Sequence, residues 1–175
     1  YKKDYFPNFL LVSGKNTIIK IKKVLKNFQK VYLLGSIKNS PKKISLKSKN
    51  NKTFLLIPEG IDSELKIFNL FLKKILNKTQ KYNFILRLHP ISRNTLIFND
   101  LLKKYKNIKL SNGDLKNDIS KSTFVIYRGS SLIVNCVFNG LYPIYLKFSK
   151  KEEIIDPIYD YKHKEILENF KKILK

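Results

Sequence analysis

The chain lacks methionine and tryptophan, and it has one cysteine, two histidines and only 13 acidic side chains against 36 basic ones. Each scarcity excludes something. Cys136 alone cannot form an internal disulfide, which fits a reducing compartment, and one cysteine with two distant histidines supplies no zinc constellation. With no acid–base partner nearby in sequence, Cys136 reads as a buried, inert thiol. Arginine occurs only at Arg87, Arg93 and Arg128, so 33 of the 36 basic residues are lysine. A tuned nucleic-acid surface relies on arginine for bidentate contacts, so nucleic acid is disfavoured as a partner. No apolar run approaches the roughly 18–20 residues that span a bilayer, and no signal peptide is visible; the expectation is a cytoplasmic chain. Without an initiating methionine, it is expected to be a piece of a longer protein and need not be active alone.

The formal charge of +23 has two readings. Lysine is scattered beside many asparagines and isoleucines, as expected where A/T-rich codons make it the default solvated residue. It also attracts anions: nucleotide sugars, acidic glycans or an anionic membrane surface.

Strand-like apolar runs recur at 53–57, 84–88, 123–127 and 142–146, with a shorter candidate at 108–110. Helical periods lie between them. Residues 62–76 carry Leu65, Phe68, Leu72 and Ile75 on one stripe, and others span 94–105, 114–120 (opening on Asp114 as N-cap), 131–139 and 162–174. This alternation predicts a Rossmann-like, doubly wound parallel sheet over residues 53–175. Residues 1–37, with strands near 9–12 and 31–34 around a helix at 17–28, read as the end of a preceding α/β domain. The polar stretch 38–52 (KNSPKKISLKSKNNK) reads as a linker.

Ligands of doubly wound sheets bind at the carboxyl ends of the strands, so the residues after each strand are the candidates. Pro58-Glu59-Gly60 and Ser63-Glu64 follow the first, and His89-Pro90-Ile91-Ser92-Arg93 follow the second. Arg128-Gly129-Ser130-Ser131 follow the third, opening a helix, and Lys147 and Asp156-Pro157 follow the fourth. Backbone N–H groups and a helix dipole make such a turn attractive to phosphate, and Arg128 adds a guanidinium. His89, held extended by Pro90, can donate to a phosphate oxygen or transfer a proton, or else satisfy a backbone carbonyl. Glu59 and Glu64 can contact ligand hydroxyls or orient His89; alternatively Asp62 and Ser63 cap a helix whose dipole the glutamates favour. His163 reads as merely solvated. There is no GxxxxGK[ST] loop, no GxGxxG fingerprint and no GxSxG elbow, which disfavours a P-loop NTPase, a dinucleotide dehydrogenase and an α/β-hydrolase.

The order PEG…SE, RLHP, YRGSS…NGLYPIY and IDP resembles the C-terminal, donor-binding half of a GT-B-type glycosyltransferase. It is similar to bacterial capsule or lipopolysaccharide biosynthesis proteins and to bacterial sialyltransferases. The resemblance covers about 53–160. It implies that His89-Pro90 contact the nucleotide or its phosphate and that Ser130-Ser131 bind donor phosphate; by their strand-end positions, Glu59, Gly60, Glu64, Arg128 and Gly129 are candidates for the same donor site. Asn135 stands where many such enzymes carry a ribose-binding glutamate. The implied reaction moves a sugar, sialic-acid-like from a CMP donor, to a surface glycan at the inner face of the cytoplasmic membrane. No metal or cofactor is expected, and His89 would serve as the catalytic group. The acceptor's base is expected upstream. A transferase of polyol phosphate from a CDP donor and a non-catalytic, lysine-rich anion-binding module are the alternatives.

Overall fold

The computed structural model describes residues 7–24, 30–35, 45–48, 50, 52–92, 94–148, 156–158 and 161–168. It divides into two compact units, Tyr1–Lys42 and Lys43–Lys175. In the first, strands β1 (Leu10–Val12) and β2 (Val31–Leu33) pair in parallel, and helix α1 (Lys15–Val24) joins them. This is the βαβ unit expected there; the expected continuation of its helix past 24 and most of the linker lie outside the described residues.

The second unit is built on a six-stranded, all-parallel sheet in the order β5-β4-β3-β6-β7-β8. Its strands are β3 (Thr53–Ile57), β4 (Asn83–Leu86), β5 (Ile108–Leu110), β6 (Phe124–Tyr127), β7 (Tyr142–Lys147) and β8 (Glu165–Glu168). The helices are α2 (Asp62–Ile75), α3 (Asn99–Lys104, entered through a 3-10 turn), α4 (Leu115–Lys121) and α5 (Leu132–Phe138). β3 is central, and all five of its residues are buried, which is why it reads as an unbroken apolar run. Phe54, Leu56, Phe84 and Leu86 pack under α2 and α3 on one face; Leu55, Ile57, Val125 and Tyr127 pack under α4 and α5 on the other. Crossovers of one hand place the helices on opposite faces as the chain moves in opposite directions across the sheet. Phe54 also stacks between Phe84 and Phe124, at ring-centroid distances of 5.4 and 4.8 Å, tying three strands together on one face.

Two expectations change here. Residues 165–168, read as part of a final helix, form a strand paired with β7. The spacing of Ile166, Leu167 and Phe170 mimics a helical stripe, but the open edge of β7 offers a hydrogen-bond ladder, and Leu167 is 2% exposed in the core beneath it. The remainder of that expected helix lies outside the described residues. The linker is not wholly free-standing either: the Lys47 N–H donates to the Gly140 carbonyl at 3.0 Å. The Lys47 ammonium donates to the carbonyls of Ile119, Ser120 (3.3 Å) and Ser122 (2.9 Å), closing the C-terminus of α4 with a cation.

Beyond β7, Asp156 holds the connection to β8. Its carboxylate accepts from Tyr127 Oη at 3.0 Å, Lys164 Nζ at 2.5 Å and the Ile158 N–H at 3.0 Å. Tyr127→Phe removes one of these three donors and leaves the buried ring in place. The expected loss is about 1 kcal/mol, seen as a small fall in melting temperature; an unchanged melting temperature would show that the bond carries nothing.

Candidate functional site

The chain lays down β3, β4 and β5 in one direction across the sheet, then returns to place β6, β7 and β8 in the other. The order reverses between β3 and β6, so the loops after these two strands flank the crevice where doubly wound sheets bind ligands. Those loops carry Glu59-Gly60 and Arg128-Gly129-Ser130, and the loop after β4 adds His89.

The loops touch through glycines. Gly60 has φ +100°, and a Cβ there would lie 2.8 Å from His89 Cβ and 3.1 Å from Ser92 Oγ. Only glycine combines that backbone with that approach. At Gly129 a Cβ would lie 2.5 Å from Glu59 Oε2, so the Glu59 carboxylate rests against the turn after β6.

His89 to Ser92 form a tight turn closed by the Ser92 N–H on the His89 carbonyl at 2.9 Å, with Pro90 where its fixed φ suits the bend. The Ile91 N–H donates to His89 Nδ1 at 3.2 Å. The proton of the neutral ring therefore sits on Nε2, and the ring is exposed. His89 is thus an oriented donor facing solvent at the carboxyl edge.

Glu64 lies deeper. It is 3% exposed, and its Oε2 accepts the Glu59 N–H at 2.9 Å, so it braces the Glu59-Gly60 loop from below. Its Oε1 accepts no hydrogen bond among the described residues and lies 3.9 Å from Arg128 Nε. Burial raises the carboxyl to about pH 7. The adjacent Glu59 charge adds to this, while the Glu59 and Gly129 N–H groups and the Arg128 guanidinium oppose it. Arg128 Nη1 donates to the Leu146 carbonyl at 2.7 Å, so this guanidinium ties the end of β7 to the turn after β6.

Ser130 is buried and Ser131 exposed; Ser131 holds the N-cap position of α5 without a side-chain cap bond. Asn135 accepts from Asn139 Nδ2 at 2.9 Å one turn along the same helix, and no hydrogen bond joins it to the cluster. Helix α2 likewise begins after Ile61 with no side-chain cap, so Asp62 and Ser63 do not cap it. Cys136 is buried, and burial pushes its thiol up to about 12, the inert state expected of it.

Sequence reasoning named two residues without giving either a role. Ser92 Oγ is buried, without a hydrogen-bond partner, beside His89; its spacing of three from that histidine across a proline turn was the available signal. Arg87 donates to Asp118 (2.7 Å), Ser111 (3.1 Å) and the Gly113 carbonyl (3.0 Å), clipping the ends of β4 and β5 to α4. Arg93 lies outside the described residues. Among the described residues, no three His, Cys, Asp or Glu side chains gather to hold a metal ion, and no helix is long and apolar enough to cross a membrane.

A six-stranded parallel sheet with helices on both faces and polar loops at its switch point is a Rossmann-like, doubly wound architecture. The solved structure of TarM, itself a GT-B glycosyltransferase, superposes on 95% of this chain with a TM-score of 0.55 at 16% identity. The chain spans 35% of the TarM chain, and the likeness is one of fold. No protein-family profile and no curated protein sequence matches the chain.

Proposed function

We propose that the chain is the donor-binding part of a GT-B glycosyltransferase, with the nucleotide phosphate held at the carboxyl edge of β3, β4 and β6. The observation that carries this reading is His89: its Nδ1 is occupied by the Ile91 N–H, which leaves Nε2–H as a donor beside the switch point. The Glu59 carboxylate at the Gly129 turn suits the hydroxyls of the ribose or the sugar. Arg128 contributes positive potential from behind the turn. Ser130 and Ser131 complete the phosphate side, and Glu64 acts on the ligand through Glu59. As the bond from sugar to phosphate breaks, negative charge grows on the phosphate oxygens; Nε2–H and the nearby guanidinium, already in place, stabilise it.

In this reading the donor carries a sialic-acid-like sugar on CMP, and the acceptor is a surface polysaccharide or lipopolysaccharide. Nucleotide-sugar chemistry then places the protein in the cytoplasm, where its lysines favour the anionic inner face of the membrane. The test is calorimetric titration with CMP, CDP, UDP and GDP at about 150 mM salt, where long-range attraction is screened. One nucleotide should bind selectively. His89→Ala should weaken it about tenfold without lowering the melting temperature, because the ring is exposed. Equal, salt-sensitive binding of all four would reduce the site to a lysine-rich anion trap.

A further inference from the structure

A second concavity lies away from this cluster. A groove of about 370 Å³ runs along the outer part of the sheet, floored by β4 and β5 and walled by α4. The register sets Ile85 beside Lys109 there. Ile85 is only half-buried and Lys109 is exposed, so this end of the helix-packed face stays open. Lys106, Lys109 and Lys121 line it together with the amides of Asn83, Asn112 and Asn117. Asp118, the one acid among the described lining residues, is already paired with Arg87 at 2.7 Å. Lys106 and Lys109 form no hydrogen bond or ion pair with a described residue. The groove is therefore cationic.

The composition of the lining selects the ligand class. Ammonium groups bind anions as point charges, and carboxamides match hydroxyls because each both donates and accepts. Nucleic-acid grooves use arginine and exposed aromatic rings, and the described lining has neither: its one ring, Phe84, is 1% exposed. β5 is about 10 Å long, the reach of a short oligosaccharide. We propose that this groove binds an anionic glycan segment, sugar or polyol units carrying carboxylate or phosphate groups. No residue of the donor cluster lines it, so this binding stands independently of the donor reading.

The test titrates the 175-residue chain at about 150 mM salt with oligogalacturonate, oligo(glycerol phosphate), a neutral malto-oligosaccharide and oligothymidylate. At least one anionic glycan should bind, the neutral one should not, and oligothymidylate should bind about tenfold more weakly. Lys106→Ala with Lys109→Ala should weaken glycan binding about tenfold. The control pair Lys66→Ala with Lys73→Ala, also exposed lysines, should change it less than about twofold. Asn117→Ala should weaken it about threefold at an unchanged salt slope, as loss of a neutral hydrogen bond does. Four exposed lysines leave the core untouched, and melting curves check this. Equal losses in the two lysine pairs, binding of neither anionic glycan, or oligothymidylate binding as tightly as the glycans would each overturn the proposal. His89→Ala should leave this binding unchanged, which separates it from the donor site.

Discussion

Gly60→Ala is expected to destabilise the protein by about 3 kcal/mol and to abolish nucleotide binding with it. Two costs combine. At φ +100° an L side chain is strained by about 1–2 kcal/mol. The added methyl also meets His89 Cβ at 2.8 Å, and that atom is anchored to the backbone of a hydrogen-bonded turn. Relieving the overlap means moving the turn, at about 1–2 kcal/mol more. For a chain of this size the melting temperature should drop by roughly 6–12 °C. The same movement withdraws Nε2 from the edge, so at temperatures where the variant is folded it should bind the selected nucleotide at least about tenfold more weakly. Wild-type stability in Gly60→Ala would show that the loop after β3 does not pack on His89. Gly129 makes the useful contrast: the atom its Cβ would meet is the far end of the flexible Glu59 side chain, which can turn aside.

Glu64→Gln is expected to make stability almost independent of pH where the wild type is sensitive. Glu64 titrates near 7 in the folded protein against an ordinary value of 4.5. The native state therefore binds more protons than the unfolded chain between these values. Stability contributed by this carboxyl is fully present below about pH 4.5 and declines as pH rises through 7, by up to ~3 kcal/mol. Glutamine keeps the shape and an oxygen for the Glu59 N–H but cannot ionise. Thermal unfolding of both proteins from pH 5 to 8 checks it. The two curves should lie close together at the acid end, with the variant about 2 kcal/mol more stable at the alkaline end. Parallel profiles would show that Glu64 is already ionised across the range and that Arg128, at 3.9 Å, outweighs its burial.

The strands were legible because β3, β6 and β7 are buried on both sides, which forces continuous apolar runs that no solvent-facing element would carry. Helix α4 was legible from Asp114, whose side chain accepts the Asn117 N–H at 3.0 Å at the expected start. β8 was not, because its four residues carry too little pattern to separate a strand from a helical turn; its pairing partner decided. At the candidate site, strand ends pointed to Glu59, His89 and Arg128, since in a parallel sheet all carboxyl ends share one edge. Their division of labour was not legible. Glu59 and Glu64 look equivalent in sequence, yet one is half-buried at the Gly129 turn and the other is buried beneath it. Likewise Arg87 and Arg128 each follow a strand, but one clips α4 and the other reaches the end of β7.

By itself, then, the order of residues determined which segments are strands and helices, the parallel α/β class, and the edge where polar loops collect, because periodicity and burial are recorded locally along the chain. Tertiary structure alone decided that the chain reverses between β3 and β6 and that Gly60 and Gly129 bring three loops into contact. It also left a lysine- and asparagine-lined groove open beside β5. These are relations between segments some thirty to seventy residues apart, and distances across a sheet come from strand order and register, which no local pattern encodes.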